Sequence, residues 1–149
     1  MRQDLDPKKE TEVRESFAQQ GLMTSLGATL ELLEPGRCLL AAPFDPALSQ
    51  QHGFFHGGFI GALGDSAGGY AGLSLMPPGA EVLTVEYKVN FLRPAKGERM
   101  EALGQVIKPG RSLTVTTVEV SVLEAGARRL VAILQQTLMQ FDPAASRQA

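Results

Sequence analysis

The stretch His56-Gly57-Gly58-Phe59-Ile60-Gly61-Ala62-Leu63-Gly64-Asp65-Ser66-Ala67-Gly68-Gly69-Tyr70-Ala71-Gly72 decides the fold. It reads as most of one long helix over residues 57–76, stopped by Pro77-Pro78-Gly79. Seven of the sixteen glycines fall within residues 57–72. Each Gly in a helix interior costs roughly 1 kcal/mol relative to Ala. A helix this rich in Gly therefore has something packed very close to its backbone. At about 100° per residue, Gly58, Gly61, Gly68, Gly69 and Gly72 share a stripe with Asp65 in its middle. Ile60, Leu63, Ala67 and Tyr70 fall opposite, with Phe59 at the edge. The bulky face is expected on a sheet, and the glycine stripe against another subunit or a ligand.

The elements around this helix are mostly strands. Upstream, Asp6-Pro7 signals a helix over 7–20. Val13 and Phe17 mark its buried side, and its charged surface suggests that it lies over something larger. Residues 23–34 and 37–43 read as two strands joined at Pro35-Gly36, followed by an irregular loop over 44–55 with an exposed Phe54-Phe55 pair. Downstream, Val85, Tyr87, Val89 and Phe91 alternate with Thr84, Glu86, Lys88 and Asn90, a period-two strand. Residues 98–108, 112–124 and 128–141 follow as three more strands, and 143–149 as a frayed tail. In the last strand both faces, Leu130, Ala132 and Leu134 against Val131, Ile133 and Met139, are apolar, which predicts burial. Strands on either side of one long helix indicate an α+β fold with an antiparallel sheet and an extra N-terminal helix.

Composition excludes several classes of function. A chain of 149 residues, 44% hydrophobic and 20% charged, suits a single domain, 1–149, with a real core. A net charge of -2 argues against a broad nucleic-acid surface. The single Cys38 allows no internal disulfide, and the Cys and His spacing matches no structural zinc site; neither metal nor cofactor is expected. No stretch reads as a signal core or a membrane span, so a cytoplasmic chain is expected.

Two features carry chemistry. Asp65 is the one charged side chain between Asp45 and Glu81, histidines aside. A carboxylate in such apolar surroundings is costly unless it is solvated or hydrogen-bonded, and its setting suits a general base. Its alternative role is to bond Ser66 or a neighbouring backbone and hold the packing. The second feature is the helix start, His56-Gly57-Gly58. Free N–H groups there converge on one point and carry partial positive charge, as an oxyanion hole requires; an ordinary capped helix end would look the same. Gly57 and Asp65 lie eight residues apart, about 12 Å along a helix. If both act on one substrate, Asp65 comes from a second subunit of a two-fold dimer.

Gln50-Gln51-His52-Gly53-Phe54-Phe55-His56-Gly57-Gly58 followed by Leu63-Gly64-Asp65-Ser66-Ala67-Gly68 resembles hotdog-fold acyl-CoA thioesterases of the phenylacetic-acid-degradation (PaaI-like) type. The segments from Thr84 to Ala95 and from Lys108 to Ser112 extend the resemblance, which runs over about residues 20–141. It implies a long helix wrapped by a curved antiparallel sheet, in homodimers that often pair into homotetramers. It also implies hydrolysis of acyl-CoA at the dimer interface. By motif position, Gly57 supplies the oxyanion-hole N–H and Asp65 of the opposite subunit is general base or nucleophile. Thr84 orients water, and His56 supports the loop and the substrate carbonyl. Gln50 stands where the group commonly has Asn; it keeps the amide and adds a methylene. On the substrate side, Gly58 lies at the helix start and Phe59, with Phe54 and Phe55, is a candidate for the acyl pocket. Arg93, Lys108 and Arg111 are candidates for CoA phosphates. Two other functions fit less well: a hotdog hydratase or dehydratase, whose histidine motif has a different spacing, and a non-catalytic acyl-CoA-binding module, which has no need of Asp65.

Overall fold

The computed structural model describes residues 4–146. Six strands form one antiparallel sheet: β1 (Thr29–Glu34), β2 (Arg37–Pro43), β3 (Glu81–Phe91), β4 (Arg99–Lys108), β5 (Leu113–Glu124) and β6 (Ala127–Phe141). Their spatial order is β1-β2-β4-β5-β6-β3. The helices are α1 (Pro7–Ala18), α2 (Gly21–Ser25), α3 (Gly57–Leu73) and the one-turn α4 (Pro143–Ser146). The sheet curls around α3 and contacts it from β2 to β6. This is the hotdog arrangement, with α1 as an additional N-terminal helix.

Most predicted strands hold their place. The strand predicted over 23–34 is shorter: its first part turns as α2, and only Thr29–Glu34 joins the sheet. Met23 goes into the core instead of a ladder. The first helix stops at Ala18, and the central helix stops at Leu73 rather than 76. The Ser74 hydroxyl bonds back to the Ala71 carbonyl and accepts the Gly36 N–H, and this turns the chain early. The predicted tail begins as α4; residues 147–149 lie outside the described residues. Phe55 is buried rather than exposed, edge-on between Phe44 (centroids 5.2 Å apart) and Phe59 (5.0 Å). Its N–H is held by the Ala95 carbonyl. In β6 the inner face is buried, but Ile133 and Met139 on the outer face are exposed.

Much of the glycine stripe has a different neighbour from the one predicted. Gly61, Gly68 and Gly72 meet side chains of their own sheet, whereas Gly58 lies against its own cap His56 and Gly69 opens onto the cavity that Asp65 lines. A Cβ on Gly72 would come within 2.3 Å of Leu138, one on Gly68 within 2.0 Å of Gln136, and one on Gly64 within 2.9 Å of Leu134. All three opposing residues alternate along the inner face of β6. A Cβ on Gly61 would touch the Tyr87 hydroxyl at 2.9 Å, and one on Gly57 the Phe91 ring at 3.2 Å, both on β3. Residues 57, 61 and 65 thus run beneath β3, and residues 64, 68 and 72 beneath β6, each at helical i, i+4 spacing. The physical reason is the curl of the sheet. It encloses the helix on several sides, so the large residues that fill the space come from the strands and the helix supplies the small ones. Burial of Leu134 and Leu138 contributes about 1.5–3 kcal/mol each. The predicted bulky face is buried too: Tyr70 stacks edge-on against Phe17 of α1 at 5.9 Å, which docks α1 on the helix.

Candidate functional site

The N-terminus of α3 and the middle of α3 open into separate cavities. The first has a volume of about 180 Å³ and is lined by Gln50, Phe54, Gly57, Phe91 and Arg93, among others. The second, about 220 Å³, is lined by Gln20, Asp65, Ser66, Gly69, Tyr70 and Thr84, with Val82 and Leu83 at its side. Gly57 and Asp65 of one chain therefore do not share a cavity.

At the first cavity, His56 caps α3. Its Nδ1 accepts the Gly58 N–H at 2.8 Å, and its carbonyl accepts the N–H groups of Phe59 and Ile60. Gly58's donor is thereby used internally. The Gly57 N–H has no acceptor among the described residues and is left facing outward. Gln50 turns its Oε1 inward, where it accepts from the backbone N–H groups of His52 and Phe54 and closes the loop before the helix. Gln50 also lines the cavity. Phe59 sits in the aromatic core and away from both cavities' walls.

At the second cavity, Asp65 is half-buried and bonded on one oxygen. The Thr84 hydroxyl donates to Asp65 Oδ1 at 2.6 Å. The Gln136 amide donates to the same Oδ1, to the Asp65 carbonyl at 3.1 Å and to Thr84 Oγ1 at 3.1 Å. Among the described residues no donor reaches Oδ2. The far wall is polar as well: Gln20 accepts from the Ser66 hydroxyl at 3.0 Å and donates to the Tyr70 hydroxyl at 2.8 Å. Burial pushes the Tyr70 phenol above its usual range, and the hydrogen bonds from Ser16 and Gln20 only partly oppose this.

The cationic candidates do not gather. Arg93 borders the first cavity and donates to the Leu130 carbonyl at 2.6 Å. Lys108 and Arg111 flank the turn from β4 to β5, exposed, at the other end of the sheet. Arg93 lies beside Val131 of β6, whereas Leu113 pairs with Met139, about 26 Å further along that strand.

Gln136 and Gln20 escaped the sequence reading. Gln136 had a signal. It is the one polar residue among the alternating positions Ala132, Leu134, Gln136 and Leu138, whose other side chains are core. Gln20 had none, because only the tertiary fold carries the α1–α2 junction to Ser66.

With this geometry in hand, the sequence profile of the thioesterase superfamily matches residues 52–126. The chain belongs to that superfamily. As a hotdog thioesterase of PaaI-like type, it is a thioester hydrolase. The Saccharolobus solfataricus protein SSO1253, provisionally named an esterase, is 32% identical over 108 residues, 72% of this chain and 71% of its own. A thioesterase family protein of Silicibacter pomeroyi superposes with a TM-score of 0.89 at 49% identity, over 90% of this chain and 98% of that one. A variant of the phenylacetic acid degradation protein PaaI from Thermus thermophilus gives 0.71 at 28% identity, over 82% and 100%. No described helix of this thioesterase is long and apolar enough to cross a membrane.

Proposed function

We propose that this thioesterase hydrolyses acyl-CoA to a free acid and CoA at sites shared between two copies of the chain. The observation that carries the reading is the separation on α3 of an unpaired Gly57 N–H and a carboxylate held ready at Asp65, each in its own cavity. A second copy related by a two-fold axis, with its α3 antiparallel to the first, would bring Asp65 of one chain to Gly57 of the other. Strand β3 supports this arrangement. It is an edge strand, and Leu83, Val85, Tyr87 and Phe91 are all exposed along it. An open apolar edge of this length is a template for pairing. Assembly of such dimers into the homotetramers that the resemblance implies would need a second surface.

In the proposed reaction the Gly57 N–H donates a hydrogen bond to the thioester carbonyl oxygen and stabilises the oxyanion. Asp65 Oδ2 takes a proton from water as that water's oxygen bonds to the carbonyl carbon. The tetrahedral intermediate collapses, the C–S bond breaks, and the CoA thiolate leaves with the proton returned from Asp65. Thr84 and Gln136 occupy Oδ1, which leaves Oδ2 to meet the water. Arg93, beside the Gly57 cavity, is suited to a CoA phosphate; Lys108 and Arg111 would meet one only from the far end of the sheet. The chemistry draws on the chain's own groups, and a cytoplasmic setting would supply the substrate.

The test is complementation. Asp65→Asn and Gly57→Pro are each expected to hydrolyse acyl-CoA at least about 100-fold more slowly than the native chain. Mixed and re-formed together, they should regain about one quarter of native activity, because half the dimers are mixed and each has one intact site. Two inactive variants that stay inactive after proven subunit exchange would sink the shared site. A native chain without thiol release from short, long or aromatic acyl-CoAs would sink the acyl-CoA reading.

A further inference from the structure

Two polar side chains among the described residues have 0% exposure, Gln136 and Thr116, and they bond each other. They lie side by side on β6 and β5, paired in register, beneath the middle of α3. A buried amide at a position flanked by Leu134 and Leu138 gives up apolar packing and must satisfy its polar atoms. Here each is satisfied, and in only one orientation. The Asp65 carboxylate and carbonyl accept only, so the amide nitrogen faces them. The amide oxygen then faces Thr116, whose hydroxyl donates to it at 2.8 Å. Gly68 belongs to the same device. A Cβ there would fall 2.0 Å from Gln136 Oε1 and 2.9 Å from Thr116 Oγ1, so the absence of a side chain is what admits the amide.

We infer that Gln136 is a positioning residue for Asp65, with Thr116 setting the direction of its amide and Gly68 giving it room. Gln136 holds Oδ1 and the Asp65 backbone together, which fixes the carboxylate's rotation and turns Oδ2 toward the cavity. The chain of donors runs one way, from Thr116 to Gln136 to Asp65. This inference rests on the reading of Asp65 as the general base of thioester hydrolysis.

The experiment uses the full-length chain and whichever acyl-CoA the native protein turns over fastest, with Asp65→Asn beside it. Gln136→Met keeps the length and removes the amide. It should lower kcat by about 10- to 100-fold, the usual range for a residue that orients a catalytic group, with KM within about twofold and an unchanged urea midpoint or a higher one. Thr116→Val keeps the shape and removes the hydroxyl; it should lower kcat several-fold, and Thr116→Ser should rescue that loss. The double variant Gln136→Met with Thr116→Val should be no slower than Gln136→Met alone, because the two act in series. Should Gln136→Met fail to fold, the Thr116→Val and Thr116→Ser pair decides. A kcat within twofold of native in Gln136→Met overturns the inference. So does a loss in Thr116→Val that Thr116→Ser does not restore, or one that merely follows the loss of stability. Failure of the underlying reading shows itself differently: Asp65→Asn keeps its turnover, or the native chain has none, and the inference falls with it.

Discussion

Thr84 Oγ1 lies 2.6 Å from Asp65 Oδ1, so the edge strand β3 is tied to the central helix at the candidate catalytic carboxylate. Simple alternation would place Thr84 on the face opposite Tyr87, Val89 and Phe91. The ladder with β6 shifts register between Thr84 and Glu86, leaving Val85 without an opposite residue. That bulge turns Thr84 to the helix side. Thr84→Val should therefore lower kcat at least several-fold while Thr84→Ser stays near the native value. Steady-state kinetics of the two variants checks this; equal losses would mean that the hydroxyl has no part in turnover.

Removal of a single N–H isolates the helix start. His56 has φ -65° and ψ 143°, a conformation that proline tolerates after it, and Gly57 is the first helical residue, where proline is favoured. The Phe91 ring that a new ring would meet is 55% exposed in the single chain, and a Cβ on Gly57 would lie 3.2 Å from its edge, a contact that a shift of a few tenths of an ångström relieves. Gly57→Pro should keep the helical circular-dichroism signal and lose about 100- to 1000-fold in kcat. A variant that folds and turns over normally would remove Gly57 from the mechanism.

Two neighbouring glycines should respond oppositely to alanine. A Cβ on Gly69 meets nothing within 4 Å, so Gly69→Ala should stabilise by about 0.5–1 kcal/mol. A Cβ on Gly72 would overlap Leu138, so Gly72→Ala should destabilise by about 1–3 kcal/mol. Urea titration of both variants checks the pair. A change of the same sign in both would contradict the packing of β6 on α3.

Cys38 is fully buried, and desolvation pushes its thiol up to about 12, against a weaker opposing pull from Arg14. Disulfide and alkylating reagents at pH 8 should leave it unmodified in the native chain and label it once the chain is unfolded. Thiol-release assays of this protein are then free of a background from Cys38. The native chain keeps this proton where the unfolded chain has lost it. Stability contributed by Cys38 is thus complete below pH 9.0 and falls between 9.0 and about 12, by about 1.4 kcal/mol per pH unit. Urea midpoints of native and Cys38→Ala chains across that window should converge or cross.

Much of the architecture was legible because it is local. Proline and glycine breaks marked the ends of β2, β4 and β5, and their apolar runs are long enough to name as strands. The helix start at Gly57 was readable from His56-Gly57-Gly58, and Asp65 from its isolation in an apolar stretch. The failures share a cause. The strand predicted over 23–34 became partly α2 because the contacts that bury Met23 come from elsewhere in the chain. The glycine stripe was assigned an outside neighbour along its whole length, while the sheet fills that place at Gly61, Gly68 and Gly72, because a helical wheel shows which residues share a side and not what lies there.

By itself, then, the sequence determined most of the element types, α2 excepted, the order helix–strands–helix–strands, and the placing of His56-Gly57-Gly58 and Asp65 on α3, since each depends on residues within a few positions of one another. Only the tertiary structure decided what lies against the glycines, which way Thr84 points, and that Gln136 and Thr116 reach Asp65. Those facts depend on the curl of the sheet and on a one-residue slip in the pairing of β3 with β6, 52 residues apart at Thr84 and Gln136. No local pattern encodes either: both follow from how the large side chains of the strands and the small ones of the helix fill one shared space.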